Sequence, residues 1–268
     1  MPQVRKTGTA WELCLDDYAY TRGLDHTGWA WEFLRRNEVY QRDFRINRAG
    51  HPTPIKHVSG ATLYRPQRRF LEAEAWGLVM FADPEKSAGA ADIFWLPGLP
   101  THSATCHARP ANDNEIDVIS LSTFKCRRAV LAGIDTELIS VQGLGKCISL
   151  LVKRGSLLFG DAALSFFHEG LSTASRHFET MRIISHFSGE TDDASSADDP
   201  RHCKYLAYLV ALDGHLAGRS YRDIAEVLYG SDRIGSYWTD DSRGYKSRVR
   251  RAVERGLALM NGGYRDLL

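Results

Sequence analysis

The run Ser188-Gly-Glu-Thr-Asp-Asp-Ala-Ser-Ser-Ala-Asp-Asp199 constrains this chain more than any other feature. It carries five acids, no base and no large apolar side chain, so it cannot bury enough surface to order itself and reads as a linker. The segment beyond it must fold largely as its own unit or dock back through a limited interface. The linker also uncovers a charge segregation that the net +1 of the whole chain conceals. Arg201 to the end holds twelve Lys/Arg against eight Asp/Glu, or +4; the linker is −5, and residues 1–187 are +2.

At 268 residues and 43% hydrophobic content, the chain can build one large core or two to three small ones. No apolar run is long enough to span a bilayer, and Met1-Pro-Gln-Val-Arg-Lys6 has no signal-peptide h-region, so a cytoplasmic protein is expected. Cys14, Cys106, Cys126, Cys147 and Cys203 are odd in number and scattered, and read as reduced, mostly buried thiols. His102, Cys106 and His107 could supply metal ligands, but no second close pair completes a tetrahedral set, so they read as loop residues. No metal or cofactor is expected.

The first part, Thr9 to Phe44, is aromatic-rich and reads as helical from Gly28 to Phe44, with Trp31, Leu34, Glu38 and Arg42 on successive turns. A solvated helix face accounts for Arg35, Arg36, Arg42, Arg45 and Arg48, with nucleic-acid contact the second reading. Between Glu115 and Leu158 the pattern becomes β: Ile116–Leu121, Arg128–Leu131, Glu137–Val141 and Cys147–Val152, separated by Gly133-Ile-Asp135 and Gly143-Leu-Gly145. That is turn chemistry for an antiparallel meander, to which Ile93–Leu96 can add a strand. From Asp161 to Phe187, Leu164, Phe167, Leu171, Ala174, Phe178 and Met181 recur at spacings of three and four, predicting a helix across the sheet; a dimer seam is the other reading.

Beyond the linker, Asp198-Asp199-Pro200 announces a helix, an acidic N-cap followed by proline where no donor is missed. Tyr205, Tyr208, Leu212 and Leu216 give it a broad buried face, ending near Gly218. Ser220 and Asp223 then stand at capping-box spacing, with Ile224 and Leu228 as an apolar pair and Ala225 small enough for a close helix crossing. Ser242 to Met260 predicts a further helix with Val249, Val253, Gly256 and Met260 on one stripe. Six Arg/Lys lie between Arg243 and Arg255, opposed within that stretch only by Glu254.

Such an outer face is costly unless anions meet it, and phosphates are the obvious ones. A helix fits the major groove, guanidinium pairs bidentately with guanine, and each neutralised phosphate releases counterions. Arg243, Ser247, Arg248 and Arg251 are therefore expected to read bases, and Lys246, Arg250, Arg255 and Arg219 to position the backbone. Gly244 would permit close approach to the duplex. A solvated basic helix is the bland alternative; the order of the two helices favours recognition. The connection Ser231–Asp241, with Tyr237 and Trp238, far exceeds an ordinary helix-turn-helix turn.

Ser220-Tyr-Arg-Asp-Ile-Ala-Glu-Val-Leu-Tyr-Gly230, Ser247-Arg-Val-Arg-Arg251 and Gly262-Gly-Tyr-Arg-Asp-Leu-Leu268 resemble the FseA-like and RovC-like proteobacterial activators of integrative and conjugative elements. The likeness extends back to about Lys125, and Trp29-Ala-Trp-Glu-Phe-Leu-Arg-Arg-Asn37 with Tyr40 is similar to the short N-terminal domain of the same architecture. The resemblance implies a helix-turn-helix variant that binds DNA upstream of promoters to activate excision and transfer genes, and that a small antiactivator of related fold can capture. RNA polymerase is a possible partner, and a homo-oligomer is expected, since helix-turn-helix proteins commonly pair to read half-sites.

The alternative is a protein-interaction module that holds a partner regulator through the same helices, motivated by Tyr237, Trp238 and Tyr264. No enzyme is expected: no P-loop, Rossmann fingerprint, nucleophile elbow or His-Glu-x-x-His is present, and His168 and Glu169 fall on the predicted sheet-covering helix. The organisation read is α+β: an N-terminal helical regulator-like domain over 1–65, a β-rich middle over 66–187 with a small antiparallel sheet and covering helix, the linker 188–199, and a helix-turn-helix variant over 200–268.

Overall fold

A computed structural model describes residues 14–115, 117–143, 145–167, 171–188, 200–237 and 243–268. The three strongest β patterns become β4 (Arg127–Ala132), β5 (Glu137–Gly143) and β6 (Lys146–Arg154), paired antiparallel in the expected meander. Around it assemble β1 (Ile55–Lys56), β2 (Thr62–Tyr64), β3 (Ser103–Pro110) and β7 (Ala162–Phe167), giving a seven-stranded sheet in the order β1-β2-β4-β5-β6-β3-β7. The fold is α+β. Four of its six strand pairings are antiparallel; β2–β4 and β3–β6 are parallel.

Both faces of the meander are covered, which is why its strands read as continuous apolar runs rather than alternating ones. Val130, Ile139 and Leu150 point into a core closed by Ile183, Ile184 and Phe187 of α4 (Leu171–Ser188), with Leu121 and Phe124. Ala129, Leu131 and Leu138 face the other way, into a core shared with α1 (His26–Leu34), α5 (Pro200–Leu216) and α8 (Arg243–Met260). Trp29, Trp31, Phe33, Trp95 and Tyr264 are all buried in that second core, so residues from the first and last thirds of the chain share one interior.

Several elements differ from the sequence reading. The helix expected over Gly28–Phe44 breaks at Asn37, whose side chain accepts from Val39 N and Tyr40 N and so starts α2 (Glu38–Asn47) afresh. The helix expected over Asp161–Phe187 is strand β7 followed by α4: Leu164 and Phe167 lie on a strand bonded along β3, and their spacing of three matched a helical stripe by coincidence. Ile116–Leu121 forms no strand beyond the isolated bridge Ile119–Ala162, and Ile93–Leu96 only the bridge Trp95–Leu78; Ile116 itself lies outside the described residues. His102, Cys106 and His107 belong not to a loop but to β3 and the residue before it, with Cys106 buried. The thiols are free, as expected, yet only Cys106 is buried, and Cys14 and Cys203 are exposed.

Arg35 and Arg36, expected on a solvated face, are buried at 2% and 5% exposure. Arg36 makes a bidentate pair with Asp213 of α5, Nε–Oδ1 at 2.5 Å and Nη2–Oδ2 at 2.8 Å, and Glu32 accepts from both arginines at 2.7 and 2.8 Å. Tyr18 and Tyr20 donate to Asp213 and Glu32, each at 2.8 Å. Burial pushes the Glu32 carboxyl up, but the two guanidiniums outweigh it and hold the group below its usual range. Further helical pieces are α3 (Leu71–Glu74) and 3-10 turns at Leu15–Thr21, Arg48–Gly50 and Gly263–Leu267. The linker residues 189–199 and His168 and Glu169 lie outside the described residues.

Candidate nucleic-acid interface

The C-terminal helices form by local rules that the sequence states openly. Ser220 Oγ accepts from Asp223 N at 3.2 Å while Asp223 Oδ2 accepts from Ser220 N at 3.1 Å, a complete capping box that starts α6 (Tyr221–Tyr229). Gly230, at φ +91°, ends it and turns the chain into α7 (Ser231–Tyr237). The long connection before α8 thus contains a helix of its own, with Ile234 buried against Ala211, Ile224, Ala225 and Val249. Residues 238–242, Trp238 among them, lie outside the described set, as does the Tyr237 side chain.

Two glycines set the spacing. A Cβ on Gly256 would stand 2.7 Å from the Tyr208 carbonyl oxygen, and one on Gly214 would stand 2.6 Å from Ile224 Cγ1. Hence α8 and α6 each lie tight against α5, closer than any side chain there would allow. Val249, Ala252, Val253, Gly256 and Met260 form the buried stripe of α8, the expected set with Ala252 added. Asn37 Nδ2 donates to the Met260 carbonyl at 3.1 Å, which fastens the far end of α8 to the start of α2.

The opposite side of α8 presents Lys246, Arg248, Arg250, Arg251 and Arg255, all exposed. Among the described residues, none enters a buried ion-pair network. Arg250 reaches Glu254 at 3.7 Å with both side chains more than 60% exposed, a contact worth little in water. Arg251 Nε donates to the Ser247 carbonyl at 3.3 Å, keeping the guanidinium along its own helix. Arg248 lies over the Tyr245 ring, 5.7 Å from its centroid, and Tyr245 in turn packs on Tyr229 at 5.1 Å. Burial raises the Tyr229 hydroxyl above its ordinary range, against the opposing fields of Arg248 and Arg251.

Of the remaining predicted residues, Ser247 is half-buried, and Arg219 is half-buried at the α5–α6 turn, its N–H donating to the Gly214 carbonyl at 2.9 Å. Arg243 opens α8, but its side chain lies outside the described set. Among the described residues, a Cβ added at Gly244 would meet nothing within 4 Å. Sequence reasoning missed Tyr245 and Tyr229; the i, i+3 spacing of Tyr245 and Arg248 was the available signal. Tyr264, by contrast, is a core residue, donating to the Trp76 carbonyl at 2.9 Å, and gives no support to a partner surface.

Two family models match parts of the chain. Residues 168–268 match the family model described as "T6SS, Transcription factor, DNA binding domain". Residues 15–80 match a second model, described as a proteobacterial transcriptional regulator-like domain. Both matched families are of transcriptional regulators, and the first match spans α4 through the C-terminus, including the whole of α8. No curated protein matches the chain. Among the described residues, no helix is long and apolar enough to cross a membrane.

Proposed function

We propose that the protein is a RovC-like DNA-binding transcriptional regulator that lays α8 in the major groove of duplex DNA. The observation that carries this is the exposed row of Arg248, Arg250, Arg251 and Arg255 on a helix braced from behind by α5 and α6, within the segment similar to a transcription-factor DNA-binding family. Arg243, Ser247, Arg248 and Arg251 are read as base-contacting, and Lys246, Arg250, Arg255 and Arg219 as holding phosphates. Tyr245, beneath Arg248, restricts that guanidinium to one side of the helix.

The finer reading comes from the resemblance. The protein acts in the cytoplasm as an activator of conjugative-element excision and transfer genes, works as a homo-oligomer on paired half-sites, engages RNA polymerase, and is held in check by a small antiactivator. The matched description names T6SS instead of conjugative elements. Selection of genomic fragments by the purified protein, with subsequent binding of the recovered fragments to wild type and Arg251→Ala, tests the whole reading. Recovery of promoter-proximal duplexes bound at least about fivefold more weakly by the variant is expected. Recovery of no fragment above background would refute it.

A further inference from the structure

A cavity of about 320 Å³, lined by no residue of α8, lies where three parts of the chain meet: residues 23–27 and 29 at the start of α1, residues 101, 102 and 146 of the sheet region, and the first turns of α5. Its size is at the lower end of the range, ~300–1,000 Å³, typical of small-molecule sites. Among the described residues, the walls carry Lys146, Arg201, His26, His102 and His202, together with the carboxylate of Asp25.

That carboxylate is already committed. Its Oδ1 accepts from Thr27 Oγ1 at 2.6 Å and Gly28 N at 2.9 Å, and its Oδ2 from Cys147 N at 2.8 Å. Asp25 therefore caps α1 and ties it to β6, and three donors already share its charge. Lys146 makes no ion pair among the described residues. His102 Nδ1 is shielded from water and has no hydrogen-bond partner among them, an arrangement that costs free energy unless a ligand or solvent atom meets it. Arg201 Nη1 donates to His26 Nε2 at 3.4 Å, which holds the guanidinium at the opening. Burial holds His102 below the usual imidazole range, with Lys146 and His26 adding to that effect against Asp25 and Glu179; a bound anion would relieve it. Trp29 and Tyr205, with ring centroids 5.6 Å apart, supply a flat apolar wall.

We propose that this cavity binds a small oxyanion, a carboxylate- or phosphate-bearing molecule of metabolite size, through Lys146, Arg201 and His102, with its body against Trp29 and Tyr205.

The test is calorimetric titration of the full-length protein, without DNA, with inorganic phosphate and separately with benzoate, holding ionic strength constant with sodium chloride. Saturable binding of at least one is expected, weakened tenfold or more in Lys146→Met and in Arg201→Gln and unchanged in Arg45→Ala, an exposed cation of α2 outside the cavity lining. Preference for phosphate identifies a phosphorylated ligand, and preference for benzoate a carboxylate. Should Lys146→Met fail to fold, the Arg201→Gln result decides, because Arg201 is exposed. Absence of saturable binding by either probe, or binding that survives both cavity variants, would overturn the proposal.

Discussion

Arg251 and Lys246 both face outward from α8, yet their expected work differs. Arg251→Ala is expected to cost about 1–3 kcal/mol on a preferred sequence and to relax discrimination at one base pair, whereas Lys246→Ala should weaken all sequences alike and lower the salt slope by about 1. Binding isotherms at several salt concentrations, on a selected and a scrambled duplex, separate the two. The cysteines offer a check on the core that is independent of DNA. Burial pushes the Cys106 and Cys147 thiols up to about 12, the first helped by Glu137 and the second by Asp25, so neither forms appreciable thiolate at neutral pH. Alkylation of the native protein should reach exposed Cys14 and Cys203 first and spare Cys106 and Cys147 until unfolding, as mass spectrometry would record.

At the scale of elements, the crossing of α8 over α5 depends on Gly256. Gly256→Ala gains about 1 kcal/mol in helix propensity but drives a methyl toward the Tyr208 carbonyl at 2.7 Å, an overpacking that costs typically about 1–3 kcal/mol. Denaturant unfolding should show a net loss of stability. How far such elements were legible depended on how local their causes were. The capping box of α6, the stripe of α8 and the meander strands arise from neighbours in sequence, and each was readable. Strand β7 was not, because its identity comes from pairing with β3, some 60 residues earlier; nor was the burial of Arg36, since Asp213, which pairs with it bidentately, sits 177 residues away. An arginine-rich helix looks the same in sequence whether its partners are water or a distant acid.

For the molecule as a whole, that Glu32–Arg36–Asp213 network joins the first helices to the helix that braces α8. Glu32→Gln leaves Arg35 and Arg36 short of a buried charge partner and should destabilise the protein by about 3–5 kcal/mol. Because the folded-state pKa of Glu32 is depressed, its contribution is fully present above the ordinary carboxylate range and is lost as pH falls through the folded value. The wild type should therefore lose stability on acidification more steeply than Glu32→Gln. A fragment limited to residues 200–268 lacks Trp29, Phe33 and Trp95 from its core, and circular dichroism should find it less helical than the same segment in the intact chain. The central claim, that α8 occupies the major groove, is tested most directly by dimethyl sulfate protection of guanine N7 on a selected promoter fragment. Wild type should protect specific guanines and Arg251→Ala should restore reactivity at one of them; tight binding that leaves every guanine N7 as reactive as in free DNA would contradict that placement.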